Sequence, residues 1–238
     1  MRVVFKASRF FRIIMITLNK IIYNIRNIIK EKNDDSKITN SQLEFIFNNW
    51  RARLITQNYR KARNSDVNLT QDLGCIDMVS VDKAEDCEVT IGCTILRTAQ
   101  KLPVPIELDE KPLLTFIGSI EKTGPQYQLI PWARFSWIKY QKWAGSMPYA
   151  SIKDGYLYII NKKILDKINV QGIFQDPREA ARFKHCSGEP CYTEDSNYPI
   201  DAGMIPLITE LMFTKELAIY ERSKEDLTND NNDVNQKV

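Results

Sequence analysis

The chain is poor in the residues that most chemistry depends on. Its 238 residues contain one histidine, His185, and nine glycines. A Ser- or Cys-based hydrolase needs a base held against its nucleophile, and Cys186, the immediate neighbour of that histidine, is badly placed to be one. The reading is a polar loop histidine. The glycines at Asp72-Leu73-Gly74 and Trp143-Ala144-Gly145 are isolated, with no Lys-Ser/Thr following, so no phosphate-cradling loop is present. Five cysteines, an odd number at irregular spacing, argue against a secreted disulfide framework and for reduced thiols made in a cytoplasm. His185-Cys186 and Cys191 cluster, but zinc wants four ligands and the paired short spacings are missing, so loop thiols are expected and no metal. Long apolar runs are also lacking. No window reaches the roughly eighteen uninterrupted apolar residues of a membrane span.

Charge is unevenly spread. Residues 1–63 carry 14 Lys/Arg against 4 Asp/Glu, a net of +10, which leaves −7 on the remainder of a chain whose total is +3. A basic arm on an acidic body suggests a negative partner for the arm: DNA, a membrane surface, or an acidic patch on another subunit. The first sixteen residues look superficially like a signal peptide, but Arg9 and Arg12 interrupt the apolar run and no small-residue cleavage site follows. Met15 is an alternative start, which would make residues 1–14 an upstream extension.

Helical signals come first. Leu18, Ile21, Ile22, Ile25, Ile28 and Ile29 follow the i, i+3, i+4, i+7 template. Ser41-x-x-Glu44 reads as a capping box for a second helix whose inner face carries Leu43, Ile46, Phe47, Trp50 and Leu54. Its later turns carry Arg51, Arg53, Arg60, Lys61 and Arg63, favourable near the negative end of the helix dipole. The middle changes period. Residues 76–81, 87–98, 104–108, 113–121, 126–138 and 156–160 are β-branched or aromatic runs separated by turn signals such as Pro103, Pro105 and Pro112. Asp154-Gly155 predicts a hairpin joining 149–152 to 156–160. Asp176-Pro177-Arg178-Glu179 predicts a short capped helix to about Phe183. A last amphipathic helix follows, with Asp201 as a cap, Pro206 near its first turns, and a stripe of Ile205, Ile208, Leu211, Met212 and Ile219. The polar tail after it cannot bury enough apolar surface to fold alone.

These signals predict an α+β fold in which N- and C-terminal helices pack as a small bundle with a central antiparallel β-rich domain. The expected division is an extension at 1–14, a helical region at 15–70, a β-rich domain at 71–175, C-terminal helices at 176–222 and a flexible polar tail at 223–238.

Two constellations have chemical potential. Asp77, Asp82, Glu85, Asp86 and Glu88 are the raw material of a divalent-metal site, but nothing in their spacing fixes them on one face, and a solvated loop is the better account. Trp132, Phe135, Trp137, Tyr140 and Trp143 alternate with basic residues, as a platform for single-stranded nucleic acid does. On a strand they would divide between both faces, which favours core or subunit interface. The arginine cluster on the second helix is the better electrostatic candidate.

Several specific strings carry more. Gln71-Asp72-Leu73-Gly74-Cys75, Gly92-Cys93-Thr94-Ile95-Leu96-Arg97-Thr98, Gly172-Ile173-Phe174-Gln175-Asp176-Pro177, and Tyr198-Pro199-Ile200 with Thr214-Lys215-Glu216-Leu217 resemble a virion structural protein of crAss-like tailed phages. The resemblance is to the ring or adaptor proteins stacked below the portal, and it runs from about Ile16 to the tail. It implies a helical bundle bearing a β-domain, assembled as a homo-dodecamer around the DNA channel in the virion neck or tail after assembly in the host cytoplasm. It implies portal and other ring or tail proteins as partners, passing DNA without sequence-specific binding, and no membrane. It brings no catalytic residue and no cofactor. On this reading Arg51, Arg53, Arg60, Lys61 and Arg63 would face an acidic neighbour, and the tail, with Asp226, Leu227, Asn229 and Asn231, would order on a portal subunit. The alternative is a nucleic-acid-binding protein using the basic arm, or a metal-dependent nuclease. Membrane attachment through residues 1–29 is a third reading.

Overall fold

The computed structural model describes residues 16–32, 38–62, 67–81, 95–109, 111–121, 124, 126–135, 137–138, 147–160 and 165–217. The order is helical, then mainly strands, then helical again, so the chain is of mixed α/β class. Helix α1 (Leu18–Lys32) follows the apolar period read from sequence: Leu18, Ile21, Ile22, Ile25 and Ile29 are buried, and Ile28 is half exposed at the edge of the stripe. Helix α2 (Asn40–Ala62) buries Leu43, Phe47, Trp50, Leu54 and Ile55.

The cap of α2 differs from the Ser41–Glu44 expectation. Thr39 Oγ1 accepts the Gln42 N–H at 3.3 Å, and Gln42 Oε1 accepts the Thr39 N–H at 2.9 Å. The reciprocal box is therefore Thr-x-x-Gln, two residues earlier, and Ser41 already lies inside the helix. Glu44 is engaged instead by Arg178 of a distant segment.

Ten strands follow. They are β1 (Gln71–Asp72), β2 (Ile76–Ser80), β3 (Ile95–Thr98), β4 (Glu107–Leu108), β5 (Lys111–Pro112), β6 (Leu114–Gly118), β7 (Gln128–Leu129), β8 (Tyr149–Lys153), β9 (Tyr156–Ile160) and β10 (Lys167–Gly172). Strands β4 and β5 form a separate small hairpin, and the other eight form one curled sheet. Strand β10 is shared: β1 and β2 pair along it in succession, and β6 also pairs it. The path then runs β2–β3–β9–β8–β7. Pairing is antiparallel except between β7 and β8, which are parallel, a departure from the all-antiparallel expectation. The curl brings the far ends together, since the Tyr127 N–H donates to Ile117 O at 2.7 Å and Gln126 Nε2 to Thr115 O at 3.0 Å. Closing a sheet on itself removes the exposed edges that otherwise recruit other strands.

The hairpin read at Asp154-Gly155 is present. Both residues take positive φ, 52° and 82°, as a two-residue primed turn demands, and Lys153 faces Tyr156 across it. Side chains of β9 then alternate. Leu157 and Ile159 join a cluster with Ala150, Ile168 and Val170 on one side of the sheet, and Tyr158 and Ile160 join Tyr149, Ile130 and Ile138 on the other.

The run expected as a strand over 126–138 is mostly not one. After β7, Pro131 interrupts the ladder, having no N–H to give, and a one-turn helix α3 (Trp132–Phe135) starts from it, with Arg134 N–H donating to Pro131 O at 2.9 Å. Trp132 lies edge-on to Tyr158 with ring centroids 4.9 Å apart, so this aromatic covers the sheet, whereas Trp137 is 69% exposed.

Asp176 and Pro177 behave as their order predicts. Asp176 Oδ1 accepts the Arg178 N–H at 3.0 Å and Pro177 opens a helix over Pro177–Arg182, which is 3₁₀ rather than α. Helix α4 (Met204–Leu211) has Pro206 in its first turn, where a missing N–H costs nothing. Asp201 does not cap it from the side chain; its Oδ1 accepts only the Gly203 N–H, at 3.1 Å, and Gly203 is the residue before the helix. A π-helical turn, Met212–Glu216, continues α4 and inserts one extra residue. The buried positions therefore step from Ile208 to Met212 to Leu217. Residue 219 of the expected stripe lies outside the described residues.

Side chains of α1, α2 and α4 meet in one apolar cluster, which also takes in Ile106, Ile173, Tyr198 and Ile200 from the connecting loops. Each buried Ile, Leu or Phe there contributes about 1.5–3 kcal/mol of transfer free energy before its ordering entropy is charged.

Candidate interaction surface

The basic residues of α2 do not form one patch. Arg51 is fully buried, its Nε donating to Pro199 O at 2.8 Å and its Nη1 to Phe174 O at 2.9 Å. Its guanidinium carbon lies 5.4 Å from the Tyr198 ring centroid. Burial pulls its pKa below the ordinary arginine value, partly offset by the nearby Tyr198 and Asp176. As a surface contact it is therefore a correction: Arg51 ties α2 to two distant loops and presents nothing to a partner.

Arg53, two positions on and so on another side of the helix, is exposed and rests over the Trp50 ring at 5.0 Å. Arg60 is exposed and pairs with Asp109 of the β4–β5 turn at 3.3 Å. The side chain of Lys61, and all of Arg63, Asp226, Leu227, Asn229 and Asn231, lie outside the described residues. Of the acidic residues read as a metal possibility, Asp77 pairs with Lys167 at 3.6 Å, and residues 82–88 lie outside the description. Among the described residues no cluster of His, Cys, Asp and Glu is arranged to hold a metal ion, and no helix is long and apolar enough to cross a membrane.

What sequence reasoning missed is a polar seam around Arg51. Tyr198 hydroxyl donates to Asn48 Oδ1, and Asn48 Nδ2 reaches Asp176 Oδ1 at 3.4 Å. Arg178 forks onto Asp176, with Nη2 to Oδ2 at 2.9 Å, and its Nη1 pairs with Glu44. The hydrogen bond to Asp176 holds the Arg178 pKa above its usual value, and burial pushes Tyr198 up. Gln71 Nε2 adds a bond to Pro177 O at 3.0 Å. A helix, a strand and two loops far apart in sequence are thus fastened by side chains whose long-range partners no local pattern announces.

The second missed feature is a groove of about 640 Å³. Its lining includes Leu102, Pro103, Val104, Pro105, Pro112, Leu129, Ile130, Pro131, Trp132, Ser151 and Ile152, with Glu107 and Lys111 the charged members. The prolines that read only as turn signals converge here. Prolines donate no backbone N–H, so the walls are rigid and largely apolar. Such a surface offers shape and apolar contact, with two charged residues in its lining.

The described surface thus carries an apolar groove and exposed arginines such as Arg53 and Arg60, contacts that an assembly component can use. The comparisons agree: a family profile described as phage tail ring protein 2 matches residues 20–237, and the chain belongs to that family. One relative is Ring protein 2 of Bacteroides phage crAss001, 28% identical over 230 residues that make up 91% of this chain and 97% of the relative. The chain is thus a structural ring protein of a crAss-like phage tail, as the sequence strings implied.

Proposed function

We propose that this ring protein is an adaptor in the phage neck, joining the portal to the tail and forming part of the channel through which DNA passes. The observation that carries the reading is the family match along nearly the whole chain, 20–237. On it, twelve copies close into a ring, each using two different patches, one for each neighbour, because a cyclic interface is heterologous. The exposed Arg53 and Arg60, with Lys61 and Arg63, contact an acidic neighbour, and residues 226–231 order on the portal. The helices at the two ends of the chain act as one bundle and the curled sheet as a second unit, following the 15–70, 71–175 and 176–222 division. The excess of acidic residues after position 63 suits a lining that phosphate slides past without sticking. Assembly takes place in the host cytoplasm, the protein ends in the virion, and no step requires catalysis.

Native mass spectrometry of the purified chain, alone and mixed with the portal protein, tests this. Conversion of a monomer to a ring-sized assembly on the portal is the expected result. Indifference to the portal combined with a salt-sensitive shift on DNA would replace the adaptor with a nucleic-acid-binding role.

A further inference from the structure

Three cysteines, Cys75 of one loop and Cys186 and Cys191 of another, come together beside β10. Cys75, in the turn between β1 and β2, lies with its Cα 5.2 Å from that of Cys186, 111 positions away, and their sulfurs are joined. That separation of Cα atoms is within the usual range for a bridge. The expectation of reduced thiols throughout is corrected at this pair.

The position is set by backbone. The Cys75 N–H donates to Lys184 O at 3.0 Å, and the Cys191 N–H to Phe183 O at 2.9 Å. The loop between is closed by His185 N–H to Glu189 O at 2.8 Å and a bridge between Lys184 and Pro190. On the opposing side Asp72 Oδ1 accepts the Gly74 N–H at 2.8 Å, and Asn169 Nδ2 donates to Gly74 O at 2.9 Å. Gly74 has φ +66°, and a Cβ there would stand 2.5 Å from Lys184 O and 2.9 Å from His185 Cα. Two backbones thus meet so closely that only glycine fits, and these bonds need no bridge to form.

We infer that Cys75–Cys186 is a staple made by oxidation after folding, which locks the 184–191 loop onto the β1–β2 turn, with Cys191 as a spectator thiol. This does not depend on the adaptor role. A disulfide of the glutathione type supplies the chemistry: one thiolate attacks it and releases one glutathione thiol, and the second cysteine attacks the mixed disulfide and releases another. Two S–H bonds are exchanged for one S–S bond, and the protons leave on glutathione. Cys191 is half buried against Gly74, and burial raises its thiol to about 11, which keeps it a poor competitor in exchange.

The test uses the full chain, purified in reductant and then exposed to oxidised glutathione. Titratable thiols in denaturant fall from five to three per chain, and peptide mapping links Cys75 to Cys186. The melting temperature rises by roughly 5–10 °C on oxidation, a rise absent in Cys186→Ser and retained in Cys191→Ser. A link through Cys87, Cys93 or Cys191, five thiols surviving, or stoichiometric zinc on the reduced protein would overturn the staple. So would a Cys75–Cys186 link that leaves the melting temperature unmoved.

Discussion

The helical cluster and the curled sheet are held together by different means, and the contrast explains which parts of the molecule announce themselves in sequence. In the helical cluster the apolar stripes of α1 and α2 repeat every three or four residues, so each helix carries its own instruction. In the sheet the partners are remote: β10 pairs strands that lie before it by fifty to a hundred residues, β7 joins β8 in parallel, and closure rests on single bonds near Tyr127. Between the two regions runs the seam of Arg51, Asn48, Tyr198 and Asp176. Apolar burial builds each region, and hydrogen bonds fix how α2 meets the segments around Phe174 and Pro199.

The largest expected effect comes from breaking that seam. Arg51→Ala leaves two buried carbonyls without their charged donor and should cost about 3–5 kcal/mol, read as a fall in denaturation midpoint; Arg51→Lys recovers little, since an ammonium cannot fork across both carbonyls. A cost under about 1 kcal/mol would show the seam to be incidental.

Next, Ile25→Ala in α1 and Ile159→Ala in β9 should each cost about 2–4 kcal/mol. If the regions unfold as one unit, both variants shift a single transition. Two transitions, each moved by one variant, would divide the chain into separable domains.

Alkali gives a third probe. Cys191 is raised from about 9 to about 11, and Tyr192 from about 10 to about 12, in each case chiefly by burial. Both hold their protons more tightly folded than unfolded, so their contribution is full below about pH 9 and is lost as pH climbs through 11 and 12. Stability measured by urea titration should fall across that window. A flat profile from pH 8 to 12 would contradict it.

Smaller still, Thr39→Ala should cost about 1 kcal/mol and Ser41→Ala less than half that, because the capping bonds belong to Thr39. Arg53→Ala and Arg60→Ala should change stability by no more than about 0.5 kcal/mol, since both are exposed. Any effect of these two on ring assembly, seen by light scattering, would then be an interface effect.

Sequence by itself determined what is local. The period of α1 and the inner face of α2, the hairpin at Asp154-Gly155 and the start at Asp176-Pro177 are written in spacing and in backbone preference, and they are found in the structure. The family, too, was legible in short strings. Tertiary structure decided the rest. Arg51 looked like its exposed neighbours because a charge on a helix carries no mark of which loop will close over it. Thr39–Gln42 and Ser41–Glu44 are equally good capping boxes until Arg178 arrives to take Glu44. The aromatic run after Gln126 has a strand's composition, and Pro131 together with the packing of Trp132 on Tyr158 made it a turn of helix. Cys75 and Cys186 became partners only because the sheet carried one to the other. Local preference is settled within a turn or two of chain, whereas a buried charge, a closing strand and a paired thiol each depend on what the fold brings from far away.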